Sequence, residues 1–166
     1  YEHRTLARIG ADFAVQPITL VNALDDNYFV GDVAVDGSAY YAFKKGSGGS
    51  HGLWRIDLQA DSPNYLKPQR IIDGVALSPS IYDIAFHPSN GKLYSVTNRG
   101  KLITIDPATG QMQELASLAE SGTFGAVYFD VDGNLYISRN TDGSIFRVDG
   151  GARGRQVPIA RYSTGR

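Results

Sequence analysis

The sequence has no cysteine, and it has only one methionine and one tryptophan among its 166 residues. Without cysteine, neither a disulfide nor a thiolate metal site can form, which is compatible with the cytosol and with a bacterial exported protein. No apolar run is long enough for a membrane-spanning helix. A formal net charge of −1 provides no overall field for nucleic acid or an anionic membrane. The sequence therefore predicts neither a membrane span nor a nucleic-acid partner.

Motifs for catalysis are missing as well. There is no Gly-x-Ser-x-Gly nucleophile elbow, no phosphate-binding loop and no zincin helix. The three histidines, His3, His51 and His87, lie far apart in the sequence and lack the spacing of metal ligands. His87 precedes a proline in a predicted turn, and we interpret it as a turn residue. No catalytic residue is predicted.

The sequence does contain a repeat. Each unit has a short apolar strand, a turn with Asp-Gly or Asn-Gly, a second strand, and a third strand that ends in Ile-Asp or Val-Asp. The units occupy residues 33–57, 84–106 and 127–149. Their terminal aspartates, Asp57, Asp106 and Asp149, are 49 and then 43 residues apart. A period of about 40–45 residues with several short strands is typical of a β-propeller blade.

We therefore predict an all-β fold that is a β-propeller or part of one, with three four-stranded antiparallel blades and an N-terminal half blade. The predicted boundaries are residues 1–28 for the half blade and 29–77, 78–122 and 123–166 for the blades. In the half blade, Leu6–Ile9 corresponds to a third strand and Ile18–Leu24 to an outer strand. Closed propellers have about four to eight blades. Further blades of the same polypeptide, or another chain, are therefore expected to complete the ring.

The pattern of the units has a known counterpart. Residues 83–94 read Asp-hydrophobic-Ala-Phe-x-Pro-x-x-Gly-x-Leu-Tyr, and Leu-Ile-Thr-Ile-Asp-Pro-Ala-Thr-Gly follows at residues 102–110. This resembles the blades of sugar-lactone-lyase and NHL-type propellers, and more closely the propeller repeats of large exported bacterial surface proteins. The resemblance covers about residues 29–163. It implies the blade fold, whereas an activity does not follow from the fold.

Four aspartates are the candidate metal ligands. Asp32 and Asp83 precede innermost strands at equivalent positions of the repeat, where the third unit has Ala126. The resemblance to lactonases implies ligands directed at a central channel, whereas hydrogen bonding to backbone amides is the simpler interpretation. Asp130 and Asp132 begin a string like a calcium loop, but the other units have hairpin turns in that slot, which favours a turn. No cofactor is predicted, and Ca²⁺ is the ion that these carboxylates would suit.

Two insertions in the first unit are the candidate binding loops. They span Lys44–Gly52, which is rich in Gly and Ser, and Gln59–Pro68, which is polar and contains proline. Such excursions lie on the faces of a propeller and can carry binding. The candidate binding residues in them are Ser47, His51, Asn64 and Tyr65.

Packing predictions follow from the alternation of side chains along the strands. We expect Trp54 to be buried between the first blade and its neighbour. We expect the third blade to leave one face uncovered, and we assign to that face some of its large apolar residues. Those residues are Phe129, Ile137, Phe146 and Val148.

Two functions are compatible with the sequence. The first is a non-catalytic binding or scaffold module of an exported bacterial surface protein, adhesin-like, with a protein or glycan ligand and a secreted or cell-surface location. The second is a metal-dependent lactonase-type hydrolase, with most of its ligands outside these residues. The chain begins at Tyr1 and shows no signal peptide, so we expect a processed product or an excised fragment.

Overall fold

Short β-strands make up the computed structural model, which describes residues 5–21, 29–45, 51–71, 81–119, 122–149 and 155–161. The strands are β1 (Thr5–Ile9), β2 (Val15–Thr19), β3 (Phe29–Val33), β4 (Ala39–Lys45), β5 (His51–Asp57), β6 (Pro68–Arg70), β7 (Ala85–Phe86), β8 (Leu93–Val96), β9 (Lys101–Ile105), β10 (Met112–Ser117), β11 (Phe124–Phe129), β12 (Leu135–Arg139), β13 (Ser144–Asp149) and β14 (Arg155–Arg161). Over these ranges, no helix has the length and apolar character needed to cross a membrane.

The strands form a hairpin and three sheets. β1 and β2 pair as a two-stranded N-terminal hairpin. β3–β6 form the first sheet, β7–β10 the second and β11–β14 the third, and in each sheet four antiparallel strands lie side by side in chain order. The predicted fold class is confirmed: the fold is all-β, with three four-stranded antiparallel blades and a two-stranded N-terminal remnant.

The turn between the first two strands of each sheet repeats the same backbone solution. Gly37, Gly91 and Gly133 have positive φ values of 72°, 65° and 82°. This conformation costs glycine little and disfavours residues with a Cβ atom, which explains the Asp-Gly and Asn-Gly signals in the sequence. Gly133 is also constrained by packing, because a Cβ atom there would lie 3.3 Å from the His87 ring.

The innermost strand of the second sheet is shorter than predicted. The apolar run Tyr82–Phe86 predicts a strand of five residues, and the ladder covers Ala85–Phe86. The Ile84 amide donates to the Asp83 carboxylate, and the Asp83 carbonyl accepts a hydrogen bond from Ser95 Oγ at 2.6 Å. Side chains therefore satisfy backbone groups that would otherwise extend the ladder.

The N-terminal hairpin turns earlier than predicted. Its second strand is Val15–Thr19 and not Ile18–Leu24. The turn closes where the Gly10 amide donates to the Ala14 carbonyl, and the Asp12 carboxylate accepts a hydrogen bond from the Ala14 amide. The repeat comparison missed this turn because it has no Asn-Gly or Asp-Gly signal.

The first predicted insertion is shorter than the sequence suggested. Lys44 and Lys45 belong to β4, and they pair with Gly52 and His51 of β5. Only residues 46–50, which include Ser47, lie between the two strands. They are outside the described residues.

The sheets stack in chain order through three apolar cores. The hairpin packs on the first sheet through a small core that includes Leu20, Ile56 and Leu66. The first sheet packs on the second, and the second on the third. The core between the first and second sheets contains Phe43, Leu53, Ile81, Ile84, Phe86, Leu93, Ile103 and Ile105. The core between the second and third sheets contains Ala85, Val96, Leu102, Leu118, Phe124, Val127, Leu135, Ile137, Phe146 and Val148.

Two packing predictions were wrong in detail. Trp54 is only partly buried, with the Arg70 guanidinium 5.5 Å from its ring centroid. The large apolar residues assigned to an uncovered face of the third sheet instead pack toward the second sheet. Ile137, Phe146 and Val148 are at most 4% exposed there, and Phe129 packs against the same core. Alternation identified which residues share a face but not which neighbour covers that face.

Candidate functional site: aspartate bridges and grooves between the sheets

Asp32 joins the first sheet to the second. Its Oδ1 accepts a hydrogen bond from the Val33 amide at 2.8 Å. Its Oδ2 accepts one from the Phe86 amide, also at 2.8 Å, across the junction. A carboxylate that accepts hydrogen bonds from backbone amides links the two sheets strongly, because hydrogen bonds to charged groups are stronger than those between neutral groups.

Asp83 makes the corresponding bridge from the second sheet to the third. Its Oδ1 accepts from the Ile84 amide and its Oδ2 from the Val127 amide, both at 2.9 Å. Burial raises the pKa of the Asp83 carboxyl above its ordinary value, and the nearby Asp32 charge adds to this, while the two amides lower it. Each oxygen of both carboxylates therefore already accepts a backbone hydrogen bond.

The two bridging aspartates are not at equivalent positions, contrary to the sequence alignment of the units. Asp32 pairs with Tyr41 in the ladder, and the residue that pairs with the equivalent Tyr94 is Ala85, two residues after Asp83. The bridge at the first junction is thus displaced by two residues along the strand, which preserves the direction of the side chain. In the third sheet these two positions hold Tyr128 and Ala126.

Asp130 is the centre of a hairpin turn. Its Oδ1 accepts from the Asp132 and Asn134 amides at 3.0 and 2.8 Å. Its Oδ2 accepts from Asn134 Nδ2 at 2.8 Å and from the Tyr136 hydroxyl at 3.1 Å. These hydrogen bonds, with that from the Asn134 side chain the largest, lower the pKa of the Asp130 carboxyl.

These donor sets do not fit a calcium site. Ca²⁺ takes about six to eight oxygen ligands, whereas N–H and O–H donors surround the carboxylates of Asp32, Asp83 and Asp130. Asp132 lies exposed in the turn. No group of three or more His, Cys, Asp or Glu side chains suited to a metal ion occurs in the part of the chain that the structure describes.

Grooves follow the junctions between the sheets. The groove between the first and second sheets has a volume of about 470 Å³ and is lined by Tyr41, Phe86 and Pro88, with Asp36 among its polar residues. The groove between the second and third sheets has a volume of about 520 Å³. His87 lies in it, with ring centroids 4.9 Å from Phe129 and 5.7 Å from Tyr94.

His87 therefore has a packing role that the sequence did not reveal. It lies in a turn, as predicted, and its Nδ1 lies 3.2 Å from the Ser89 amide nitrogen, which donates to it. Its ring also contacts the third sheet through Phe129. No repeat signal could identify this contact, because the equivalent slots hold Ala34 in the first unit and Asp130 in the third.

The largest of these grooves, about 650 Å³, lies between the hairpin and the first sheet. It contains two tyrosines, Tyr40 and Tyr65, one cation, Arg8, and aliphatic side chains such as Leu6 and Leu58. Tyr65 is 38% exposed. Burial, with smaller contributions from nearby carboxylates, raises the pKa of the Tyr40 hydroxyl to about 12.

The predicted binding residues do not come together in one place. His51 is the first residue of β5, whereas Asn64 and Tyr65 follow the end of that strand. A seven-residue strand is about 23 Å long, so the two predicted loops lie at opposite ends of the first sheet. Of these residues, Tyr65 lines the groove between the hairpin and the first sheet.

The Gln59–Pro68 connection is organised around Asp57, which sequence reasoning used only as a repeat marker. Asp57 accepts hydrogen bonds from the Gln59 amide at 3.0 Å and from Ser62 Oγ at 2.8 Å. It also pairs with Arg55 at 3.2 Å. The Gln59 amide, followed by Ser62, lowers the pKa of the Asp57 carboxyl. This network positions Tyr65 beside the groove.

Acid should destabilise the protein. Several turn carboxyls have a pKa below the ordinary 3.8, and in Asp142 the hydrogen bond from the Arg139 side chain contributes most. The others are Asp36, Asp57, Asp106 and Asp130. A lowered folded-state pKa stabilises the fold above the unfolded-state value, and this contribution is lost as the pH falls through the folded-state value. Asp83, whose pKa is raised, acts in the opposite direction.

We therefore expect the melting temperature to fall as the pH is lowered below about 4, where unfolded-state aspartates titrate. Differential scanning fluorimetry between neutral and acidic pH measures this. Asp142→Asn should lower the melting temperature at neutral pH and flatten the acid dependence. A melting temperature that stays level or rises below pH 4 would contradict the assigned pKa directions.

The stacked antiparallel blades define the class: the chain folds as a β-propeller or part of one. Residues 1–161 match the family described as "Repeat of unknown function (DUF6923)", and the chain belongs to that family. No curated protein sequence matches it.

Solved structures with a similar fold are propeller-type proteins. A chain of a nidogen/laminin complex aligns with a TM-score of 0.68 at 11% identity, over 93% of this chain and 57% of that chain. TolB from Acinetobacter baumannii aligns at 0.63 and 16% identity, over 94% and 37%. A gluconolactonase from Xanthomonas campestris aligns at 0.60 and 20% identity, over 96% and 56%. At such identities the likeness establishes the fold, and this chain spans little more than half of these chains or less.

Proposed function

We propose that this chain is a non-catalytic binding or scaffold module of an exported bacterial surface protein, secreted or held at the cell surface, with a protein or glycan as its ligand. The observation that supports this best is the use of Asp32 and Asp83 as bridges between sheets. The carboxylates most suited to metal-dependent hydrolysis instead stabilise the stack. Further blades of the same polypeptide or another chain complete the ring.

One of the solved structures with a similar fold is of a protein complex, which agrees with this proposal. The structure that aligns with a TM-score of 0.68 is of a nidogen/laminin complex, in which a propeller-containing protein is bound to another protein. Recognition of another protein is therefore one use of this architecture. The likeness supports the proposal only through the fold, since the identity is 11%.

The ligand site that we propose is the groove between the N-terminal hairpin and the first sheet. It combines the exposed Tyr65 ring, the Tyr40 hydroxyl and the Arg8 side chain with aliphatic walls. Aromatic faces bind sugars and side chains, and hydroxyl and guanidinium donors bind the oxygens of either ligand. Asn64 adjoins Tyr65, and Ser47 and His51 stay candidates for a second contact at the other end of the sheet.

The alternative is a metal-dependent lactonase-type hydrolase, which the similarity to a gluconolactonase favours. That activity needs oxygen ligands free to bind an ion, and the bridging carboxylates already accept amide hydrogen bonds. An enzyme of this type would therefore take most of its ligands from blades outside these residues.

Direct binding tests the proposal. The purified chain is applied to a glycan array and to immobilised laminin and fibronectin, and in parallel to gluconolactone with Ca²⁺ or Zn²⁺. We expect saturable binding to at least one array component or protein, and no hydrolysis above the rate in buffer. Tyr65→Ala should abolish the binding, whereas Leu115→Ala, at a similarly exposed apolar site, should not. Metal-dependent hydrolysis without binding would support the alternative.

A further inference from the structure

The two internal junctions of the stack share an aromatic contact. At the first, Tyr41 meets Phe86 edge-on, with ring centroids 5.2 Å apart and an interplanar angle of 76°. At the second, Tyr94 meets Phe129 at 5.0 Å and 77°. Tyr136 occupies the same ladder position in the third sheet, paired with Arg147 as Tyr94 is paired with Thr104. It faces away from the second sheet.

The outward face of the third sheet differs from the faces that are covered within the chain. Neither bridging position holds an aspartate, since they are occupied by Ala126 and Tyr128. Tyr128 is 52% exposed and stacks on Tyr136, with centroids 4.8 Å apart and planes at 13°. Arg147, also on this face, is exposed. Tyrosine and arginine are enriched at contacts between separate proteins, so the composition fits a contact between chains.

The other end of the stack also has an apolar surface. Leu6 and Ile18 of the hairpin pack on the first sheet. The cross-strand pair Ile9 and Val15 lies on the opposite hairpin face, 64% and 60% exposed, and Phe13 at the tip is 85% exposed. Three large apolar side chains so close together on a small hairpin indicate an interaction surface.

We propose that two copies of this chain associate head to tail, with the outward face of the third sheet in one copy packed on the exposed face of the hairpin in the other. The two surfaces lie at opposite ends of one stack, so the contact is heterologous and closes a ring if the rotation permits. This chain covers 57% and 56% of the chains from the nidogen complex and the gluconolactonase, so two copies contain enough chain for such a propeller. The inference rests on the scaffold part of the proposed function.

Complementary variants test the head-to-tail contact. A hairpin variant carries Ile9→Lys and Val15→Lys. A sheet variant carries Tyr128→Lys and Ile145→Lys, since Ile145 lies two residues before Arg147 on the same face of β13. Each leaves the other surface intact. Sedimentation velocity is measured between about 1 μM and 1 mM, where weak contacts have their dissociation constants. Wild type should associate as the concentration rises, and each variant alone should do so at least about tenfold more weakly, as for loss of an interface anchor.

The mixture of the two variants is the decisive sample. It should form 1:1 heterodimers, because one good hairpin and one good sheet face are both present. Circular dichroism and the melting temperature show that each variant is folded. A wild type that stays monomeric, a folded variant that associates like wild type, or a mixture that stays monomeric would each overturn the proposal. Ligand binding through Tyr65 is measured separately, so its failure would leave this result standing.

Discussion

Replacing Phe146 with alanine is expected to lower the free energy of unfolding by about 3–5 kcal/mol, the cost of truncating a large aromatic in a packed core. Phe146 is 3% exposed and lies in the core between the second and third sheets. The Arg139 guanidinium lies 5.0 Å from its ring centroid, so the truncation also removes a cation–π contact. Because the ring fills space between two sheets, the cavity cannot close without moving one of them.

Urea denaturation followed by circular dichroism measures this loss. Tyr128→Ala is the matched control, since Tyr128 is an aromatic of the same sheet on its opposite face, 52% exposed. Its effect should stay within about 1 kcal/mol, near the range of exposed positions. Equal losses for the two variants would mean that the faces of the third sheet have been assigned in reverse.

The next largest effect is expected from the bridge between the second and third sheets. Asp83→Ala should lower the free energy of unfolding by about 2–3 kcal/mol, because hydrogen bonds to a charged group are lost and donors remain unsatisfied. The donors are the Val127 and Ile84 amides, and Val127 is 5% exposed. Water reaches a buried amide poorly, so the penalty is not relieved.

The substitution Asp83→Asn separates the contribution of the hydrogen bonds to stability from that of side-chain volume. Asp83→Asn keeps one acceptor oxygen and should recover part of the loss, whereas Asp132→Ala, at an exposed turn residue, should change the stability little. If Asp83→Ala costs no more than Asp132→Ala, the bridge does not stabilise the stack.

The repeat and its turns could be predicted because they depend on local chemistry. The third strands of the first and third sheets end at Asp57 and Asp149, as the Ile-Asp and Val-Asp pairs of the repeat predicted. Gly37, Gly91 and Gly133 adopt the positive φ that their turns required. The blade boundaries stay predictions, since residues 22–28 and 72–80, which connect sheets, are outside the described residues.

The features that the sequence did not predict depend on contacts between sheets. A two-residue alternation cannot tell which neighbour covers a face, and for that reason Phe146 was assigned to an open face when it is buried. The aspartate bridges follow the same logic: both Asp32 and Asp83 were recognised, but their displacement by two residues becomes visible only in the ladder register. Tyr128 could be recognised in the sequence as a tyrosine at an irregular position of the repeat, whereas its exposure on the outward face is visible only in the structure.

Asp32 and Asp83 link neighbouring sheets through backbone amides, and we propose that they bind no metal. A crystal structure of the chain soaked in Ca²⁺ and Zn²⁺ tests this claim most directly. We expect Asp83 Oδ2 to lie 2.9 Å from the Val127 amide nitrogen and Asp32 Oδ2 to lie 2.8 Å from that of Phe86, with no ion on either carboxylate. An ion coordinated by Asp32 or Asp83, with the carboxylate turned away from the amide, would contradict the claim.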